Sequence, residues 1–207
     1  MARTKWCVLG AASLALVIGV SAVSAQQPQR VRIRGTIEKV DGAMMTIKAR
    51  DGKEMTVKQA EKFGVQGLAK ASLADINNDT FVGVTAMPQP DGSQKAIAIH
   101  IFTEQQRKVV PQTFGPWDLQ PNSTMTNAVV ASKVANKDGN VLTVKYKDGE
   151  KKVLVTPQTA IVKVVPGDKS EVKPGAKIII MGAVKGADGM LTTPSIYVGK
   201  DGIAPPM

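Results

Sequence analysis

An all-β fold is what this 207-residue sequence predicts, and three observations predict it. Apolar residues alternate with polar ones at period two, Asp-Gly pairs punctuate the alternating runs, and the whole pattern occurs twice at an offset of about 97 residues. The repeat sets Asp41-Gly42 on Asp138-Gly139, Met45-Thr46-Ile47-Lys48 on Leu142-Thr143-Val144-Lys145, and Asp51-Gly52 on Asp148-Gly149. Further on it sets Asp75-Ile76 on Glu171-Val172, Asp91-Gly92 on Asp188-Gly189, and Ile99 and Ile101 on Ile196 and Val198. A period this long indicates two duplicated domains rather than a solenoid, whose units run roughly 20–50 residues.

In the first copy Val31, Ile33 and Ile37 alternate with Arg32, Arg34 and Glu38, and Met45, Ile47 and Ala49 with Thr46, Lys48 and Arg50. Met55 and Val57 begin a third strand, because Asp-Gly between alternating runs marks a hairpin. Residues 59–79 contain helix formers, Gln59-Ala60-Glu61-Lys62 and Leu68-Ala69-Lys70-Ala71, broken by Gly64 and Gly67, and predict a short helix or turn. Two strands near 81–87 and 95–102 follow. The second copy repeats the order, with strands near 130–134, 141–146 and 151–155, a crossover over 156–176, and strands at 177–184 and 191–198. Three strands, a crossover and two strands suit a five-stranded OB-like Greek-key barrel; a β-sandwich or meander of the same strands is the alternative. The expected organisation is therefore two tandem OB-like barrels, at 26–102 and 129–207, joined by a Pro-rich linker at 103–128 that contains Pro111, Pro116 and Pro121.

Residues 1–25 read as a secretory signal peptide: Arg3 and Lys5 precede an apolar run that ends in Val23-Ser24-Ala25. Its removal takes Cys7, the one cysteine, and two cations, so the formal charge of +10 becomes +8. The expected location is periplasmic or secreted. Without cysteine, thiol catalysis, thiolate metal sites and disulfides are excluded from the exported chain.

Gly35-Thr36-Ile37, Asp41-Gly42, Thr46-Ile47, Asp51-Gly52 and Asp91-Gly92, with Val172-Lys173-Pro174-Gly175 in the second copy, resemble the pattern of a family of secreted bacterial domains of unknown function with an OB-like barrel. The resemblance covers most of both repeats and implies a fold, not an activity. Asp79 and Ser132 stand where that pattern has glycine.

The chemistry available is sparse. His100, the only histidine, alternates with the Ile face and matches Tyr197 of the second copy, which predicts an outward or groove-edge residue rather than a base. Asp75-Ile76-Asn77-Asn78-Asp79 opens like a calcium loop but lacks the glycine and the closing glutamate. No catalytic residue, metal ligand or cofactor is assigned. Copper binding through Met44, Met45, Met55, Met87, His100 and Trp117 is the alternative function, weakened because adjacent Met44 and Met45 point to opposite faces of a strand.

Arg32, Arg34, Lys48 and Arg50 share the outward phase of the first strands, and Lys133, Lys145 and Lys147 repeat the arrangement. Such a face fits an anionic partner, whether envelope polymer, lipid headgroup or acidic protein, and also suits a soluble strand surface. Nucleic acid is not expected, since stacking aromatics are missing from it. Trp117, in the linker, is read as a staple or as an apolar anchor beside this face. The expected function is a non-catalytic binding or adaptor protein of the cell envelope.

Overall fold

The computed structural model describes residues 30–137 and 139–207. Residues 1–29, with the expected signal peptide, and Asp138 lie outside the described residues. The chain is all-β. The first half forms β1 (Arg30–Asp41), β2 (Met44–Ala49), β3 (Glu54–Lys70), β4 (Phe81–Pro88) and β5 (Gln94–Ile101). A helical turn α1 (Glu104–Arg107) and β6 (Thr113–Pro116) lead into β7 (Thr124–Asn136), β8 (Gly139–Tyr146), β9 (Gly149–Val155), β10 (Ala160–Pro166), β11 (Lys177–Lys185) and β12 (Leu191–Gly199). The turns between strands fall where Asp-Gly predicts them. Gly52 and Gly92 have φ of 85° and 81°, a region that costs glycine little and other residues much.

The repeats do not each close on their own strands, and this corrects the tandem arrangement. β1, β2 and β3 pair in succession, β3 runs parallel to β12, β12 pairs β11, and β11 returns to β1, which closes a five-stranded barrel. Three of its strands come from the first repeat and two from the second. The converse set, β7, β8 and β9 with β4 and β5, is joined in a ring whose last link is the short parallel pairing of Gln94 with Val153 and Lys95 with Leu154. Each set encloses its own apolar interior. Ile33, Ile37, Ile47, Ile178, Ile180 and Ile196 fill the barrel, and Val82, Val84, Ile99, Leu142, Val144 and Val153 fill the ring.

The exchange happens at β3 and β10. Ser72 and Asp75 cap a 3-10 turn at Leu73–Asp75, and Asp168 and Glu171 cap its counterpart at Lys169–Glu171, an offset of 96 residues from Ser72 to Asp168. By the same offset Leu68 corresponds to Val164, and these two pair directly across β3 and β10. A local pseudo-twofold axis therefore passes between them, and the chain crosses from one unit to the other at this point. Leu68, Val162, Val164 and Ile179, with Phe102 and Tyr197 against them, form a third apolar cluster at the seam.

Two further expectations change. The helix formers of residues 59–70 are strand, and the helical turn expected within 59–79 is confined to Leu73–Asp75: β3 is continuous because β2, β12 and β10 all offer it pairing, and tertiary hydrogen bonding overrides a propensity worth only tenths of a kcal/mol per residue. Gly67 permits the crossing, since a Cβ there would stand 2.8 Å from Val165 Cγ2 on β10. The linker is partly ordered into sheet, for β6 pairs β7 and β7 begins at Thr124, inside residues 103–128.

Candidate functional site

β1 carries Arg32 and Arg34 on one face by strand alternation, and the structure brings Trp117 and Asp118 of the connecting segment onto that face. Asp118 bridges both guanidiniums, at 2.8 Å from Arg32 Nη1 and 2.6 Å from Arg34 Nη2. Burial alone would raise the Asp118 carboxyl, but hydrogen bonds from Arg34 and Arg32 hold it below the usual carboxylate range. The Arg32 guanidinium lies 3.8 Å over the indole of Trp117, a cation–π stack. Arg34 Nε donates to the main-chain oxygen of Met207, and Arg50 Nη2 to the carbonyl of Pro205, so both arginines tie residues 203–207 down. Burial, then the neighbouring Arg34 charge, lowers the Arg50 pKa.

The remaining basic residues do not join this group. Lys48 faces Glu38 at 3.9 Å. Lys133 Nζ donates to the carbonyls of Ile76 at 2.7 Å and Leu73 at 3.1 Å. Lys145 and Lys147 are exposed and have no ion pair among the described residues. The face anticipated for an anionic partner is thus split. Its arginines are occupied by Asp118 and by main-chain oxygens, and its outer lysines stay open.

Between the barrel and the ring lies a cavity of about 370 Å³, within the range of small-ligand sites. Arg30 and Arg32 come to it from β1, His100 from β5, Met125 and Asn127 from β7, Met181 from β11 and Tyr197 from β12. Phe102, Val110 and Pro111 supply apolar wall, and Trp117 and Met207 complete it. Every strand that contributes belongs to the exchanged arrangement, so the cavity exists only because the two repeats interlock.

His100 is the main correction at the level of residues. It is not a groove-edge residue but 1% exposed. Its Nδ1 lies 3.2 Å from the Gly83 carbonyl, which can only accept, so the proton sits on Nδ1 and Nε2 keeps a free lone pair. Burial pushes its pKa down to about 4, against a smaller upward pull from the Gly83 carbonyl, so the imidazole is neutral at pH 7. Nε2 is buried without a partner, as are Trp117 Nε1 and Arg32 Nε. Leaving a buried polar group unpaired costs about 1–3 kcal/mol, and three such nitrogens on residues lining one cavity is a concentration that structural packing alone does not favour. Tyr197, the counterpart of His100, is satisfied: Gln106 Nε2 donates to its hydroxyl at 3.0 Å and to Gln66 Oε1 at 2.7 Å.

The methionines named from the sequence are dispersed. Met45 is buried in the barrel interior and Met55 packs against it. Met125, Met181 and Met207 line the cavity instead. No spacing in the sequence links these three to His100; only the strand exchange does. No Asp, Glu or Cys side chain lines the cavity. Among the described residues no group of three or more His, Cys, Asp or Glu side chains converges, and no helix is long and apolar enough to cross a membrane. No protein-family model, curated protein or solved structure matches the chain.

Proposed function

We propose that this chain is an exported, non-catalytic ligand-binding protein of the cell envelope, built as two OB-like barrels that exchange strands, with its ligand in the cavity between them. The observation that carries the reading is the cavity itself: an apolar chamber bounded by side chains with three unpartnered buried nitrogens, on His100, Trp117 and Arg32. No Asp or Glu side chain lines the cavity to act as a catalytic partner for the lone imidazole, which favours binding over turnover. Trp117 is the only tryptophan beyond residue 25 and reports directly on the site. An aromatic sulfonate, 1-anilinonaphthalene-8-sulfonate, is the probe of the chamber: its rings suit the apolar walls. Saturable binding at one per chain, with energy transfer from Trp117 and loss in the cavity-filling variant Val110→Phe, is expected. Unsaturable binding, or binding indifferent to Val110→Phe, would remove the cavity as the site.

A second reading keeps the anionic partner of the envelope, on the outer lysines rather than the arginines. Lys95, Lys145, Lys147 and Lys152 have no ion-pair partner among the described residues and so remain open to an external anion. Retention on immobilised polyphosphate should fall as salt rises and fall further in a Lys145→Glu, Lys147→Glu variant. Salt-insensitive or unchanged retention would count against it.

A further inference from the structure

We propose that the cavity is a binding site for one monovalent soft metal ion, Cu(I), held by the imidazole Nε2 of His100 and the thioethers of Met125, Met181 and Met207. The inference rests on the reading of the cavity as the ligand site and names its ligand.

The donor chemistry decides the ion. Three of the methionines beyond the leader reach this one chamber from β7, β11 and the segment after β12. Thioether sulfur is a soft, uncharged ligand that suits Cu(I) and has little affinity for hard cations. Calcium and magnesium sites are built from several carboxylate and carbonyl oxygens, and no Asp or Glu side chain lines the cavity. Zinc sites are built from imidazole, thiolate and carboxylate, of which this chamber offers a single imidazole.

The histidine is arranged as a ligand histidine is. A metal-bound imidazole almost always donates its other ring N–H to a carbonyl or carboxylate, which fixes its tautomer and orientation. His100 does this through Nδ1 to the Gly83 carbonyl, at 3.2 Å, and leaves Nε2 unpartnered on a side chain that is 1% exposed. The methionine side chains turn about three bonds each, which gives their sulfurs room to adjust to an ion; Met125 Sδ accepts from Thr85 Oγ1 at 4.0 Å and would exchange that weak contact for the metal.

Charge selects further. Arg30 and Arg32 line the same cavity, and repulsion between a guanidinium and a cation scales with the ion's charge. A divalent ion meets twice the opposition of a monovalent one. Asp118, paired to Arg32 and Arg34, offsets part of that field.

The test is a competition titration of the full exported chain with Cu(I) under anaerobic, reducing conditions, against the chromophoric chelator bicinchoninate. Retention of one Cu(I) per chain is expected, with sulfur and one nitrogen donor in X-ray absorption. Met125→Leu and Met181→Leu should each weaken retention by on the order of tenfold, the lower end of what even a lost hydrogen bond to a ligand costs. These swaps conserve volume and leave the fold in place, which circular dichroism and the melting of the metal-free protein check. His100→Gln should remove the nitrogen donor. Failure to retain Cu(I), or retention untouched by the Met125→Leu, Met181→Leu double variant, overturns the proposal. Sulfonate binding that depends on Val110, without Cu(I) retention, sinks this inference alone; loss of both sinks the cavity as well.

Discussion

His100 and Tyr197 occupy matching places in the two repeats and face the same cavity, yet they are treated oppositely. Tyr197 receives a hydrogen bond from Gln106 and is held to α1 by it. His100 is more deeply buried, with one ring nitrogen on a carbonyl and the other without a partner among the described residues. The basic strands differ in the same way. In the barrel, Arg32, Arg34 and Arg50 are drawn inward onto Asp118 and residues 205 and 207. In the ring, Lys145 and Lys147 stay exposed. Duplication supplies two copies of one framework, and segments outside the matched strands add Val110, Pro111, Trp117 and Met207 to the wall of the cavity between them.

The largest effect that can break this comparison lies in the strand exchange. Ile180 belongs to the second repeat but is fully buried in the barrel that the first repeat begins. Ile180→Ala should cost about 3 kcal/mol, within the range for a large-to-small core change, read from urea unfolding. Amide hydrogen exchange should then quicken in β1, β2 and β3 rather than in β7, β8 and β9. Acceleration confined to the strands of its own repeat would show that each repeat closes alone. The same logic makes the halves interdependent. Ile178, Ile180, Ile196 and Val198 together withdraw apolar surface worth roughly 6–12 kcal/mol from water, comparable with the whole stability of a domain.

Next in size is the acid response of the two matched residues. In metal-free protein the His100 pKa is about 4, below the ordinary 6.5 of the unfolded chain. The unfolded state therefore takes the proton first as pH falls, and the folded state loses ground between about 6.5 and 4. The contribution is complete above pH 6.5 and shrinks by about 3 kcal/mol once pH has dropped below 4. Carboxylates titrate in the same window, so the measurement is the difference in denaturant midpoint between pH 7 and pH 4 for wild type against His100→Tyr, which installs the residue of the other repeat. A smaller pH difference in the variant is expected; an equal one would mean that His100 charges freely in the folded protein.

Much of this was legible beforehand, and what was hidden was hidden for a physical reason. The strands and hairpins around Asp41-Gly42, Asp51-Gly52 and Asp91-Gly92 follow from alternation and turn chemistry, which are local. Which strands close a barrel is not local. β4 corresponds to β11 and β5 to β12, so either pair presents the same alternating face to β1 and β3, and the sequence does not distinguish closure within a repeat from closure between repeats. β3 beyond Val57 was obscured by helix formers, although β10, its counterpart in Ala160–Pro166, is rich in β-branched Ile161, Val162, Val164 and Val165. Of the site, Arg32 and Trp117 stood out as charge and aromatic. Met125, Met181 and Met207 look like ordinary filler until the exchange gathers them beside His100.

The smallest effects separate the two basic faces. Asp118→Asn removes the shared partner of Arg32 and Arg34, whose side chains are 26% and 12% exposed. With Asp118 itself half exposed, solvent screening holds the loss to about 1 kcal/mol, measurable as a lower denaturant midpoint together with a shift in Trp117 emission as the stacked Arg32 is released. Lys145→Ala should change stability by less than about 0.5 kcal/mol, because that ammonium touches no acid among the described residues and stays in water in both states. A loss at Lys145 as large as the loss at Asp118 would mean that the lysine face is also held by internal contacts and is not free to meet a partner. The contrast matters because a side chain that contributes nothing to the fold leaves two accounts of its charge, solubility of an outward strand face and binding, and the polyphosphate retention experiment separates them.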